Sequence, residues 1–437
     1  MTTNVLLIGG GGREHAIAWK LRQSPLLGEL IVAPGNAGIA SIAECVGLAV
    51  PGAHAAAEAV AAYGAAVVEL VRARGVDLVV VAPDDPLSFG LVDMLEAAGV
   101  RAFGPTKAAA RIESSKAFAK DLMRRHGIPM STSARFDEFE TARAYVESRE
   151  CEVVVKADGL AVGKGTVVPA SRAEAVEVLR ALLVDGEMGA AGRTVVVEDV
   201  LVGPEVSAMA FTDGKTVAHM PFSCDHKAVF DGGLGPNTGG MGVYSPAGWL
   251  DETAARQIRS DVTEAAVQAM AADGVPFCGI LYPGLFVTAD GPKVIEFNAR
   301  FGDPEAECLL PLLESDLLEI MLACTDGTLD KVDVRWSEQA SVTVMLASGG
   351  YPGPYEKGKV ISGIEDVDSA VVVFHAGTAR DDGGNLVTNG GRVLGLTALA
   401  ETIEEARAKA YSNVERVQFE GMHFRRDIGT TATAVAR

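Results

Sequence analysis

The chain has 437 residues, with 38 basic and 58 acidic side chains and a formal net charge of −20. At ~150 residues per domain that length calls for about three domains, and a composition of 48% hydrophobic and 22% charged residues excludes a disordered or collagen-like chain. No apolar run approaches the ~18 residues that a spanning helix needs, so no membrane is expected, and the acidic balance speaks against nucleic acid, whose binding requires a basic surface.

The six cysteines (Cys45, Cys151, Cys224, Cys278, Cys308 and Cys324) are dispersed, with no C-x-x-C pair, and the seven histidines have no zinc-ligand spacing. Free thiols in a reducing compartment are the expectation. The opening MTTNVLLIGGGG has no basic segment and no small-residue cleavage site, so a cytoplasmic location is expected.

In chain order, Val5 to Ile8, Leu30 to Ala33 and Leu78 to Ala82 are β-branched-rich runs of strand length. Helical segments around Ala16–Arg22, Ala55–Arg74 and Leu91–Ala98 alternate with them, which predicts an open parallel α/β sheet over residues 1–105. A helix is predicted from Lys107 to His126. Residues 129–200 read as a smaller lobe: strands, two helices and a hairpin around the glycine-rich turn of VVVKADGLAVGKGTVV. Strands at Glu205–Phe211, Val217–Pro221, Gly279–Val287 and Lys293–Phe297 follow, separated by the loop DGGLGPNTGGMG and a helix near Thr253–Ala271. Residues 331–430 read as a compact β-rich unit ending in a helix near Glu404–Val417.

Several motifs carry chemistry. In GGGGREHA, glycines let backbone approach an anion at a helix N-terminus, although a turn that needs glycine only for tightness fits these residues as readily. Glu14 fills the third glycine position of G-x-G-x-x-G, and no acidic residue ends the second strand, so nicotinamide binding is disfavoured. GLAVGKG is not a Walker loop, because Gly165 stands where Ser or Thr should hold magnesium; Lys164 at its tip could still close over a triphosphate. Lys156 lies inside a valine run, where an unpaired ammonium is costly, so an anionic ligand is expected there. EDVLVGPEVS could offer main chain to an adenine edge and Glu205 to a ribose, though on these residues alone an ordinary acidic hairpin is the better account. Asp225, His226 and Lys227 precede a glycine loop of the kind that closes over a substrate.

VIEFNARFGDPE is the most informative stretch. Strand alternation points Ile295, Phe297 and Ala299 to the core and Glu296, Asn298 and Arg300 to the other side. Two hard oxygen donors suit magnesium, and the neighbouring guanidinium suits a transferring phosphoryl group.

Together GGGGREHA, ESSKAFAK, KADGLAVGKG, DHK, GPNTGGMG, IEFNARFGDPE, GGYPG, FHAGT and VTNGGRVL resemble the phosphoribosylamine–glycine ligase (glycinamide ribonucleotide synthetase) family, from residue 4 to about residue 429. The resemblance implies an ATP-grasp ligase of purine synthesis, with a two-lobed ATP-grasp region over 106–330 between the first and last domains. It implies ATP as substrate with Mg2+ or Mn2+, and glycine and 5-phosphoribosylamine as partners of a monomer or small homo-oligomer. By the same resemblance, Lys116, Lys156 and Lys164 would face the phosphates. Glu198, Asp199, Val200 and Leu201 would lie at the adenine, with Glu205 at the ribose and Asn237 in the nucleotide site. Glu296 and Asn298 would hold the metal, and Arg300, with Lys156, would act at the reacting groups. Gly10, Gly11, Gly12, Arg13, Glu14 and Asp84 would bind phosphoribosylamine, and Asp225 and Lys227 would border glycine. The family commonly has G-P-E-A-P-L where this chain has APDDPL, so Asp84 keeps the carboxylate one methylene shorter.

Overall fold

The computed structural model describes residues 2–52, 55–159, 165–430 and 435–436. Five parallel strands open the chain, in the spatial order Glu44–Cys45, Leu27–Pro34, Thr3–Gly9, Leu78–Val81 and Ala102–Phe103. Alternation along these strands divides their side chains between two cores. Leu6, Ile8, Val79 and Val81 pack with Val67, Val71, Leu91 and Leu95 of the local helices. Val5, Leu7, Leu78 and Val80 face Ile17 and Leu21 and, from the far end of the chain, Leu317, Ile320 and Met321. Burial on both faces is why these strands are uniformly apolar.

The expected Lys107–His126 helix is two helices, Lys107–Ser114 and Lys116–His126. Ser115 leaves helical geometry (φ −136°, ψ 106°) and its hydroxyl accepts from the Phe118 N–H, capping the second helix. The break is held from outside, because the Ala117 N–H donates to Asp158 Oδ1 at 2.7 Å.

The smaller lobe is a four-stranded antiparallel sheet ordered Ser133–Phe136, Val195–Asp199, Val153–Ala157, Thr166–Val167. Val153, Val155, Val195 and Val197 pack against Ala142, Val146, Ala175 and Leu179 of its two helices. Lys156 and Glu198 therefore emerge on the opposite face. The central antiparallel sheet holds Glu205–Ser207, Cys278–Thr288, Ala210–Asp213, Val217–His219 and Gly291–Asn298; the single strand expected over Glu205–Phe211 is divided at Ala208 and Met209.

The last sheet has the order Cys224–Asp225, Gly242–Ser245, Ala340–Ala347, Arg392–Ala400, Val371–His375. Its first two strands come from the segment around the glycine loop and the other three from the final hundred residues. Among the described residues no helix is long and apolar enough to cross a membrane.

Candidate active site

Strand pairing sets Lys156 and Glu198 side by side on the open face of the smaller lobe. Lys156 Nζ lies 3.0 Å from Glu198 Oε1 and donates to the Ile295 carbonyl at 3.1 Å. Lys120, one helical turn beyond Lys116, contacts Glu198 Oε2 at 2.7 Å, and the Ser131 hydroxyl donates to the same oxygen at 2.6 Å. Burial raises the Glu198 pKa, but the Lys156 and Lys120 ammonium groups outweigh it and bring the carboxyl down to about 2. Burial takes Lys120 down to about 8 despite the Glu198 charge. Lys116 Nζ donates to the Gly159 carbonyl at 3.4 Å. Lys164 lies outside the described residues.

Of the segment expected at an adenine, Glu198 thus turns toward two lysines. Asp199 pairs with Arg149 at 2.5 Å, the Val200 N–H donates to the Glu152 carbonyl at 3.1 Å, and Leu201 is buried. Glu205 is ion-paired with Lys227. Asn237 ends the exposed strand Leu234–Asn237, opposite Ala228.

The strand Gly291–Asn298 does not alternate as expected. The register against Cys278–Thr288 slips between the Glu296 and Val294 pairs, so Val294 takes the core position expected of Ile295, while Phe297 and Ala299 keep theirs. The bulged residue is the one whose carbonyl receives Lys156. Burial opposes ionisation of Glu296, yet Lys227, Lys156, Lys116 and Arg300 hold its pKa below the ordinary value. Arg300 divides its fork: Nη2 lies 2.9 Å from Glu113 Oε1 and 3.1 Å from Asn298 Oδ1, and Nη1 donates to the Phe301 carbonyl at 3.2 Å. Glu113 Oε2 also accepts from the Ala299 N–H at 2.8 Å, which fixes the backbone beside the arginine. Asp84 joins this group. Burial raises its pKa, but Arg300 and Arg13 lower it below the usual value.

Glu296 and Asn298 are hard donors beside a buried cation cluster, a set that fits magnesium completed by phosphate and water oxygens. Among the described residues no group of three or more His, Cys, Asp or Glu side chains is arranged to hold a metal by itself.

The N-terminal glycine loop is tightly seated. A Cβ on Gly10 would lie 2.4 Å from the Gly35 carbonyl oxygen, and one on Gly12 2.1 Å from Glu307 Oε1. Its amides are partly engaged, since Gly11 N–H donates to Glu14 Oε2 at 2.6 Å and Arg13 N–H to Asp303 Oδ2 at 3.3 Å. Arg13 pairs with Glu14 at 2.6 Å and donates to the Phe301 carbonyl at 3.2 Å. Asp225 lies deep in the site, where burial and Glu305 raise its pKa well above the ordinary range. Glu305 accepts from the Tyr282 hydroxyl at 2.5 Å. The His226 backbone N–H donates to the Gly242 carbonyl at 2.9 Å, and burial lowers its imidazole to about 4, so it is a neutral part of the frame.

The structure therefore gathers Lys116, Lys156, Glu296, Asn298, Arg300 and Asp84 around one centre. Sequence reasoning missed Glu113, Lys120, Asp303 and Glu307. Glu113 and Lys120 begin and end the ESSKAFAK motif, and Lys120 carried a further signal in its i+4 spacing from Lys116, but periodicity alone gave Glu113 no role.

Family models cover most of the chain: phosphoribosylglycinamide synthetase N domain over residues 3–113, ATP-grasp (A) domain over 114–306 and C domain over 341–431. A phosphoribosylamine–glycine ligase from Agrobacterium fabrum is 47% identical over 430 residues, 98% of this chain and 99% of that protein. The trifunctional purine biosynthetic protein adenosine-3 of Gallus gallus is 47% identical across 99% of this chain, which matches 43% of that longer protein. Among solved structures, a phosphoribosylamine–glycine ligase from Thermotoga maritima superposes with a TM-score of 0.84 at 32% identity, covering 97% of this chain and 100% of its own. A biotin carboxylase from Campylobacter jejuni shares the fold, with a TM-score of 0.73 at 17% identity over 97% of this chain and 93% of its own. With three consecutive domain matches and near half-identity from end to end, this chain belongs to the phosphoribosylglycinamide synthetase family.

Proposed function

We propose that this ATP-dependent ligase joins glycine to 5-phosphoribosylamine by way of glycyl phosphate. A glycine carboxylate oxygen attacks the γ-phosphorus and ADP leaves. The ribosylamine nitrogen then attacks the acyl carbon, phosphate departs, the nitrogen loses one proton, and glycinamide ribonucleotide is formed. The observation that carries this reading is the gathering of the Lys227, Lys156, Lys116 and Arg300 charges around the half-buried Glu296. Such a set neutralises phosphoryl charge and calls for no nucleophilic side chain.

In this scheme Lys156, steered by Glu198 and the Ile295 carbonyl, and Lys116 bind the polyphosphate together with Lys164. Residues 198–201 border the adenine, Glu205 the ribose, and Asn237 the nucleotide from the glycine loop. Magnesium, or manganese, held by Glu296 and Asn298, supplies charge neutralisation at the phosphates. Arg300, locked by Glu113, stands beside the reacting groups. Gly10 to Glu14 with Asp84 take the phosphoribosylamine, and Asp225 with Lys227 take glycine. Enclosure matters because water would hydrolyse an acyl phosphate. The setting is cytoplasmic.

The test is ADP release with glycine and phosphoribosylamine, each omitted in turn, using glycine labelled with 18O in its carboxylate. Release that requires both substrates, with one 18O carried into phosphate, is expected. Turnover driven by bicarbonate instead of glycine would overturn the substrate assignment, and unlabelled phosphate would overturn the intermediate.

A further inference from the structure

Arg392 begins the strand Arg392–Ala400, in the β-rich final part of the chain, yet its side chain does not serve that part. Nη1 donates to the carbonyls of Gly239 at 2.7 Å, Gly240 at 3.3 Å and Asp303 at 2.6 Å, and Nη2 pairs with Asp303 Oδ1 at 2.9 Å. Both charged side chains are only 17% exposed. One guanidinium thus grips the glycine turn and the G-D-P segment that follows Arg300. Lysine, with a single nitrogen, could not span the carbonyls and the Asp303 carboxylate as the two-nitrogen fork does.

The turn it grips is fastened to the Asp225 strand from the other side. Thr238 donates its N–H at 2.7 Å and its hydroxyl at 2.8 Å to the Lys227 carbonyl. At Gly240 (φ +113°) there is no room for a side chain, because a Cβ would sit 2.7 Å from Asp225 Oδ1. Asp225 Oδ1 is itself buried without a hydrogen-bond partner and lies against Gly240 of the turn. The position of the turn over Asp225 is therefore set by Arg392 from outside and by Lys227 from within. A buried ion pair alone is a poor source of stability; three added carbonyl contacts specify geometry.

We propose that Arg392 is a positioning residue for the amino-acid substrate, holding the Thr238–Gly240 turn over Asp225 so that the final domain completes the glycine site. The proposal rests on the assignment of Asp225 and Lys227 to glycine.

Two variants approach the contact from opposite sides. Arg392→Lys keeps a cation beside Asp303 but loses the fork. Gly239→Ala leaves the arginine intact and places a Cβ 3.0 Å from its Cζ. Steady-state kinetics would vary glycine, ATP and phosphoribosylamine separately, with ATP affinity measured by calorimetry. In both variants the glycine KM is expected to rise about tenfold or more, the scale of one lost charge-assisted hydrogen bond, with the other two KM values within about twofold of the parent. Unchanged glycine KM, an equal rise in all three, a fall in kcat alone, or a lowered Tm with parental kinetics would overturn the proposal. Failure of the parent chain to ligate glycine at all would instead overturn the functional reading beneath it.

Discussion

Glu198 shows how much a buried charge depends on its partners. A carboxylate removed from water costs several kcal/mol unless it is paired, and here Lys120, Lys156 and Ser131 share the task. Its pKa is depressed to about 2, so its stabilisation is full above the unfolded value near 4.5 and fades as pH falls toward 2. Glu198→Gln is therefore expected to lower the urea midpoint at pH 5, with the gap to the parent narrowing by pH 2.5; an equal gap at both pH values would contradict the pairing. Arg300→Lys keeps the charge but cannot serve Glu113, Asn298 and Phe301 together, so kcat should fall about a hundredfold, the scale of one lost transition-state donor. If only the ATP KM moved, Arg300 would belong to the nucleotide site. Glu296, Asn298 and Arg300 were legible because alternation along a strand puts every second side chain on one face. Glu113 was not, since a lone acid on an amphipathic helix reads as solvated until tertiary structure delivers its arginine.

Among elements, the irregularities matter most. The bulge at Ile295 exposes the carbonyl that receives Lys156, and the break at Ser115 starts a new helix at Lys116 beside Gly159. Neither was predicted. Periodicity carries the 3.6 and 2.0 repeats but not the point where a distant Asp158 outcompetes helix continuation, or where a strand slips by one residue. The parallel strands and the smaller-lobe hairpin were legible because long buried valine runs admit few other solutions. The glycine loop sets a sharp steric condition, since a Cβ on Gly12 would lie 2.1 Å from Glu307 Oε1. Gly12→Ala should displace the start of the helix Gly12–Leu21 and raise the phosphoribosylamine KM about tenfold or more, because small misplacements are costly in oriented reactions. Parental kinetics for all three substrates would remove this loop from the phosphoribosylamine site.

Across the whole molecule, sequence order and spatial order diverge. The first sheet is covered on one side by Leu317–Asp326, and the last sheet takes two of its strands from residues 224–245. Asp303 joins Arg13 of the first domain to Arg392 of the last. Removal of residues 331–437 would strip Gly242–Ser245 of its partner Ala340–Ala347 and uncover the core around it, including Tyr244 and Ala247. That truncated chain should be insoluble or lack a cooperative thermal transition, by expression and calorimetry; a cooperative, nucleotide-binding fragment would refute this dependence. No composition or periodicity argument reveals such sharing, because it lies in long-range pairing alone.

The shared sheet also sets a schedule for synthesis. Gly242–Ser245 leaves the ribosome well before Ala340–Ala347, and Arg392 follows later still. At ~5–20 residues per second, the glycine turn waits about eight to thirty seconds for the arginine that anchors it. During that interval the emerging polypeptide lacks both the partner strand and the arginine of its glycine turn, so under the proposed assignment ATP is not spent on glycine by a half-made chain.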